Sequence, residues 1–108
     1  RVDPTKWELE DGEAMASRYP STFRIPLRMW RESLPPMTYV KLSFYGVGYQ
    51  ASEQMWIQIR DRVETPGAIE GTKLIRFRGL VKSKPATLQG LAFNDTIEFG
   101  VEHIIDVD

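Results

Sequence analysis

The chain of 108 residues has no cysteine, a single histidine and no excess of charge of either sign. Without cysteine it cannot form a disulfide scaffold, a thiolate zinc site or a thiol nucleophile, and this composition suits a reducing, cytoplasmic location. The chain has fourteen basic and fifteen acidic residues, which gives a net charge of −1. Bulk attraction to nucleic acid or to an anionic membrane is therefore absent, and binding to either would need a local patch.

Long apolar runs are also missing. No stretch approaches the roughly 18 consecutive apolar residues of a membrane-spanning helix, and no signal peptide is recognisable. The apolar fraction of 42% and the charged fraction of 27% are typical of a globular protein. We therefore expect a single domain over residues 1–108, in which a helical and extended segment, 1–36, packs on a β-sheet formed by 37–108.

The N-terminal segment carries signals for a first short helix. Asp11 can accept the free N–H groups of a helix that continues through Ala14–Tyr19, and Pro20 ends it. Met15 and Tyr19 lie four residues apart, so they are expected to share the buried side.

A second short helix is predicted over Leu27–Ser33. Pro26 can open it, because proline is tolerated in the first turn of a helix. Leu27, Trp30 and Leu34 fall on one side of this helix and are expected to pack on the sheet.

Alternation of apolar and polar residues predicts antiparallel strands in the rest of the chain. Residues expected to form one core are Val40, Leu42, Phe44, Met55, Ile57, Ile59, Ile75, Phe77, Ile97 and Phe99. A last short strand is predicted around Ile104, Ile105 and Val107. Strands of this length and spacing favour an α+β or mostly β fold, with a small curved antiparallel sheet or a partly open SH3-like or OB-like barrel, and short N-terminal helices.

The strand segments carry a family resemblance that covers most of the chain. Tyr39–Phe44, the Met55-Trp56-Ile57 triplet and the block Phe77–Val107 resemble the DUF2314 family of small bacterial proteins of unknown function, and Arg18–Pro26 is similar to the lead-in of some members. The chain departs from the family pattern at Ser83-Lys84-Pro85 and at Asn94-Asp95. The family has no settled activity that the resemblance could transfer to this chain; the resemblance suggests an immunity-like or phage-defence role.

No arrangement of residues predicts catalysis, a metal or a cofactor. His103, flanked by Glu102 and Asp106, has the neighbours of an oriented general base, but no nucleophile or oxyanion loop accompanies it, so a structural role is expected. A metal site from Glu98, Glu102, His103 and Asp106 is not expected either, because neighbouring residues of a strand point to opposite faces.

A binding surface is the remaining prediction. Basic residues follow one another on one strand and its loop, and three aromatic residues are possible neighbours. The candidate binding residues are Tyr45, Tyr49, Trp56, Arg76, Arg78, Lys82 and Lys84. The alternative is a solvated strand face, whose cations only prevent edge-to-edge pairing of sheets.

Trp56 points away from the core by alternation, so it is either covered by the N-terminal segment or exposed as an anchor. Cover by Trp7, Trp30 or Met15 is the expected arrangement, because a small chain must bury its large aromatic residues.

Two function classes follow. The first is a non-enzymatic module that binds a partner protein, which the opposite charges of Glu8–Glu13 and Arg76–Lys84 would help to steer. The alternative is a small β-barrel that binds single-stranded nucleic acid by charge and stacking, against which stand the net charge of −1 and an acidic C-terminal end. Neither class involves a membrane.

Overall fold

The structure, a computed structural model, describes residues 5–108 and confirms the predicted fold class, a curled antiparallel half-barrel with a few short helices. The strands are β1 (Trp7–Leu9), β2 (Tyr39–Gly46), β3 (Ala51–Pro66), β4 (Lys73–Val81), β5 (Thr96–Gly100) and β6 (Ile104–Val107). The helices are α1 (Gly12–Arg18), α2 (Arg28–Glu32) and a 3-10 helix at Val101–His103.

The sheet has the order β1-β2-β3-β4-β5, with antiparallel pairing throughout, and β6 also pairs with β2. Strands β1 and β6 therefore follow one another along the same edge of β2. Only the 3-10 helix connects β5 to β6. Because these two strands lie on opposite sides of the sheet, so short a connection requires the sheet to curl. The N-terminal segment thus contributes a strand, β1, that its sequence does not predict.

The core fills the concave face of this sheet. Nine of the ten predicted core residues are buried, and Ile75, at the margin, is half-buried against them. The rings of Phe77 and Phe99, from neighbouring strands, stack with centroids 5.5 Å apart. Leu34, Leu88 and Val101, which come from the segments between strands, join the same cluster. The period-two pattern therefore places the core correctly.

Strand β3 is longer than the pattern predicts and carries a bulge. Its register against β4 shifts between Ile59 and Asp61. Before the shift, odd-numbered residues of β3 lie opposite odd-numbered residues of β4; after it, even-numbered residues of β3 take their place, so Arg62 lies opposite Phe77. Beyond the bulge the two strands outrun the rest of the sheet, since β4 pairs with β5 only from Arg76 onward. Their ends form a two-stranded ribbon that is exposed on both faces.

Helix α1 begins as predicted, with the Asp11 side chain accepting a hydrogen bond from the Ala14 N–H at 2.9 Å. The predicted buried pair is wrong, because Met15 is only half-buried and Tyr19 is exposed. Tyr19 is already the C-cap residue, where the chain leaves the helix. Close contact with the sheet is instead made at Gly12, where a Cβ would lie 2.6 Å from Ile105 Cγ2.

Helix α2 forms where it is predicted but presents the opposite face to the sheet. Leu27 is 79% exposed and Trp30 is 53% exposed, whereas Arg31 is 4% exposed; only Leu34, beyond the helix, is buried as predicted. Arg31 sets the orientation of the helix, because its guanidinium donates hydrogen bonds to three acceptors in the interior. These acceptors are the carbonyl of Val101 at 2.7 Å, the carboxylate of Glu13 at 2.9 Å and the carbonyl of Pro26 at 2.8 Å.

Candidate binding surface

The seven predicted binding residues lie in three separate places. Tyr45 pairs with Ser52 at one end of β3, whereas Arg78 pairs with Asp61 near the other end. At roughly 3.3 Å per residue these two pairs are about 30 Å apart along the strand. Trp56 lies between them. A single surface made of all seven residues is therefore not formed.

The two arginines of β4 already have acidic partners. Arg76 Nη1 lies 3.5 Å from Glu102 Oε1, and Arg78 Nη1 lies 3.6 Å from Asp61 Oδ2. Glu98 also stands opposite Arg78 in the register with β5. The strand face that looks basic in sequence is thus largely neutralised by acidic residues of β3, β5 and the 3-10 helix.

The tyrosines belong to a different environment. Tyr49 is exposed on the turn between β2 and β3, while Tyr45 lines a groove of about 420 Å³ between β1 and α1, together with Tyr19 and Met15. The acidic residues of this groove are Glu8, Glu10 and Asp11. Tyr45 therefore shares a groove with three carboxylates and Arg18, apart from the predicted basic cluster.

Trp56 occupies the convex face of β3, half-buried, and its cover differs from the prediction. Lys41, directly opposite on β2, places its Nζ 4.9 Å from the centroid of the Trp56 ring. Trp7 instead packs on Phe44, with ring centroids 5.4 Å apart, and Trp30 is exposed. A cation over its face thus covers part of the indole, and both groups are half-buried.

A second lysine, Lys82, which is the neighbour of Trp56 on the other side, also lies over an aromatic ring. Lys82 Nζ lies 5.2 Å from the centroid of Phe93 and 2.6 Å from Asn94 Oδ1. Two hydrogen bonds join this segment to the strand, from the Lys82 N–H to the Trp56 carbonyl at 2.8 Å and from the Trp56 N–H to Ser83 Oγ at 2.9 Å. Lys84 follows in the same loop, exposed.

We name Lys41, Trp56, Lys82, Lys84 and Phe93 the Trp56 surface. Within residues 5–108 its three lysines take part in no ion pair, whereas Arg28, Arg31, Arg62, Lys73, Arg76 and Arg78 all do. The surface continues into a cleft of about 160 Å³ beside Lys41, which Phe23, Arg24 and Asp106 help to line. Unpaired positive charge and aromatic rings thus come together here.

The loop that carries Lys84 is held by one carboxylate. Glu53 accepts hydrogen bonds from three consecutive backbone N–H groups, those of Ala86 at 2.6 Å, Thr87 at 3.2 Å and Leu88 at 3.3 Å, and from the Thr87 hydroxyl at 3.1 Å. Burial raises the pKa of Glu53, but these hydrogen bonds outweigh it and hold the pKa below its ordinary value. Glu53 therefore anchors the backbone just beyond Lys84 in this loop.

His103 lies at the junction of β5 and β6, away from the Trp56 surface. Its Nδ1 accepts a hydrogen bond from the Gly100 N–H at 2.9 Å, and Glu102 Oε1 lies 3.4 Å from the same nitrogen. Burial lowers the pKa of His103, although the charge of Glu102 opposes this shift. The neutral imidazole thus holds the turn. Nowhere in the described chain do three potential metal-ligating side chains of His, Cys, Asp or Glu converge.

Sequence reasoning missed two members of the Trp56 surface, Lys41 and Phe93, and an exposed apolar patch on α2. Lys41 is recognisable only once the register of β2 against β3 is known, and Phe93 lies in a loop without periodicity. Leu27 and Trp30 of this patch were expected to pack on the sheet, and Met29, for which the sequence predicts no role, is 81% exposed. No sequence signal identifies this patch, because the buried Arg31 that orients the helix looks like an ordinary surface residue.

Comparison of the chain with protein-family models, with curated proteins and with solved structures finds no match. The resemblance to the DUF2314 family accordingly stays a prediction. No helix in the part of the chain that the structure describes is long and apolar enough to cross a membrane. Function must therefore be argued from the surface itself.

Proposed function

We propose that the protein is a small, non-enzymatic binding module of the cytoplasm that captures an acidic segment of a partner protein on the Trp56 surface. The observation that carries this proposal is the pair of lysines, Lys41 and Lys82, each poised over an aromatic ring and free of any ion pair with the described residues. Such cations can turn to the carboxylates of a partner without an internal ion pair being broken first.

The aromatic residues support recognition of a protein. Tryptophan is enriched among residues that dominate binding energy, because a ring that becomes fully desolvated contributes a large apolar area. Trp56 is half-buried and Phe93 is about half exposed, so both rings still have area to bury. Glu8 and Tyr45 of the acidic groove lie on the same face of the sheet as Lys41, about 13 Å along β2, so an acidic partner would be steered toward the lysine end of this face.

An immunity-like or phage-defence role in a bacterium, and membership of the DUF2314 family, are part of this proposal. A module that acts by occupying a partner's surface needs no catalytic group of its own. His103 supports this reading, because its Nδ1 is engaged by the Gly100 backbone instead of being presented to a substrate.

Single-stranded nucleic acid is the second candidate. The order of side chains favours it, since cations and aromatic rings alternate from Phe23 and Arg24, through Lys41 and Trp56, to Lys82 and Phe93. Bases can stack on such rings while cations contact the phosphates. Binding of nucleic acid would lose affinity steeply with salt, by roughly one unit of log affinity per phosphate contact for each tenfold rise.

The test is capture of partners from native lysate at two salt concentrations, with and without nuclease. We expect the double variant Lys41→Glu, Lys82→Glu to lose the captured protein. The control is Arg60→Glu, Lys73→Glu, which makes the same charge change at exposed positions on the far half of β3 and β4. Thermal unfolding must show that both variants remain folded. Equal capture by both double variants would refute the proposed site, and loss of capture after nuclease would favour nucleic acid.

A further inference from the structure

Resting on the proposed function, we infer that the recognised segment of the partner is extended and carries two acidic side chains with an aromatic or large apolar side chain between them. The three side chains would lie on one face of the segment, in the pattern acidic, any, apolar, any, acidic. The juxtaposition of Lys41, Trp56 and Lys82 on three adjacent chain segments points to this pattern.

The spacing follows from the sheet. Lys41 is the direct partner of Trp56 on β2, and the Lys82 backbone is bonded to Trp56 from the other side. Neighbouring strands lie roughly 4.8 Å apart, so the backbones of the two lysines are separated by about 10 Å. An extended peptide advances about 3.3 Å per residue and places alternate side chains on one face. Acidic residues four positions apart, about 13 Å, then fall within reach of the two flexible lysines.

Neither a carboxylate alone nor an apolar group alone would bind well. In the free protein the Lys41 ammonium lies over the Trp56 ring, and the Lys82 ammonium lies over Phe93. A carboxylate that draws a lysine off its ring replaces one favourable contact by another of similar size. Once the lysine has moved, its aromatic ring is exposed to water. Affinity increases only if the same ligand also carries an apolar group that covers this ring. Ligands that combine both groups at the right spacing are therefore selected.

The extent of positive charge favours a short peptide segment over nucleic acid. Asp106 stands opposite Lys41 in the register with β6, on the side away from Trp56. Asp95 follows Asn94, the partner of Lys82, at the other end. Arg24 shares the cleft with Asp106, and Lys84 follows Lys82, so each end carries a cation beside a carboxylate. Positive charge without a neighbouring carboxylate is thus confined to the stretch around Trp56, which matches a segment of about five residues.

The experiment uses synthetic eleven-residue peptides that contain Glu-Ser-Phe-Ser-Glu or the reordered Glu-Glu-Phe-Ser-Ser between identical Gly-Ser flanks. Binding is followed by NMR through the indole N–H signals of the three tryptophans, with Trp56→Phe used to assign that of Trp56. We expect the spaced peptide to shift the Trp56 signal selectively. We also expect it to bind about tenfold more tightly than the reordered peptide.

Lysine variants complete the test. Lys41→Met and Lys82→Met keep the aliphatic stems and should each weaken the spaced peptide about fivefold, whereas Lys73→Met should have no effect. Equal affinity of the two peptides, both dependent on the lysines, would overturn the inferred spacing and leave the proposed function standing. Failure of both peptides to bind would overturn the inference, while capture insensitive to Lys41→Glu, Lys82→Glu would overturn the function. Tighter binding of oligothymidylate than of either peptide would overturn the inference in favour of nucleic acid.

Discussion

Replacing Glu53 by glutamine tests how the loop of the Trp56 surface is held in place. The carboxylate accepts four hydrogen bonds, three of them from the successive N–H groups of residues 86–88. Glutamine keeps one acceptor oxygen but turns an NH2 group toward backbone donors. Some of the N–H groups must then find water, and the side chain no longer carries the charge that strengthens each bond.

The size of the effect follows from the geometry. Hydrogen bonds to charged groups typically contribute about 1.5–3 kcal/mol each when buried. Only the bond from Ala86, at 2.6 Å, is short, and those from Thr87 and Leu88, at 3.2 and 3.3 Å, are long. Because the site is accessible to water, we expect a total loss of about 1–2 kcal/mol in the free energy of unfolding. For a domain of this size each kcal/mol lowers Tm by about 4–8 °C.

The pH dependence provides a sharper assay. The pKa of Glu53 is lowered in the folded protein, so the unfolded state takes up this proton first as pH falls. The stabilisation is present above the ordinary pKa of about 4.5 and is lost as pH falls through the lowered value. Denaturant unfolding from pH 7 to pH 3 should therefore show a difference between wild type and Glu53→Gln that shrinks toward acid. Glu70→Gln, in an exposed turn, is the control.

Amide exchange of residues 86–88 locates the effect. We expect Glu53→Gln to increase exchange there while leaving β4 and β5 protected, since the loop can open without unfolding the sheet. A difference in stability that stays constant with pH, or unchanged protection of these three amides, would show that the carboxylate does not hold the loop.

Three further changes test the core, the histidine and the first helix. Phe77→Ala should cost about 3–5 kcal/mol in denaturant unfolding, because it leaves a cavity against Phe99, and a loss below about 1 kcal/mol would contradict the assigned core. Burial lowers the pKa of His103, so wild type should lose stability relative to His103→Gln as pH falls below about 6.5; parallel curves would argue against a neutral imidazole at this turn. Asp11→Ala should lower the free energy of unfolding by about 1 kcal/mol and Asp11→Asn by much less, because asparagine can still accept the Ala14 N–H. Equal losses for the two variants would contradict a capping role of the Asp11 side chain.

The strands could be predicted from sequence because alternation identifies the buried face without reference to any partner. Val40, Leu42 and Phe44 lie inward simply because every second residue does. The pattern fails at Arg60-Asp61-Arg62, where all residues are polar and nothing marks the register shift. The length of β3 and the exchange of its faces could not be predicted for this reason.

The candidate surface was predictable only in part, because nearness in sequence is a poor guide to nearness across a sheet. Arg78 and Lys82 are four residues apart, yet one pairs with Asp61 and the other lies beside Trp56. The ion pairs of the β4 arginines depend on residues far away in sequence. Trp56 and Lys82 were identified correctly as neighbours, and Lys41 joins them through the register of β2.

Met37, which follows α2 along the chain, is exposed and lies beside the Trp56 surface. Met37, the last exposed apolar residue of that segment, lies with its Sδ 3.8 Å from Gln58 Nε2, and Gln58 stands two residues from Trp56 on the same face of β3. Met37 is thus about 7 Å along the strand from the Trp56 ring. The backbone bond from the Met37 N–H to the Ile59 carbonyl, at 2.7 Å, fixes it there.

This continuity bears on the size of the partner. A stable protein interface buries roughly 800 Å² on each side, more than a five-residue segment can cover. Met37, which is 61% exposed, adds apolar area to the Trp56 surface at the end that Gln58 marks. A partner that places an acidic segment across Lys41 and Lys82 would therefore meet the apolar side chain of Met37 beside it. Charge would set the register of such a complex, and burial of Trp56 and Met37 would add to its affinity.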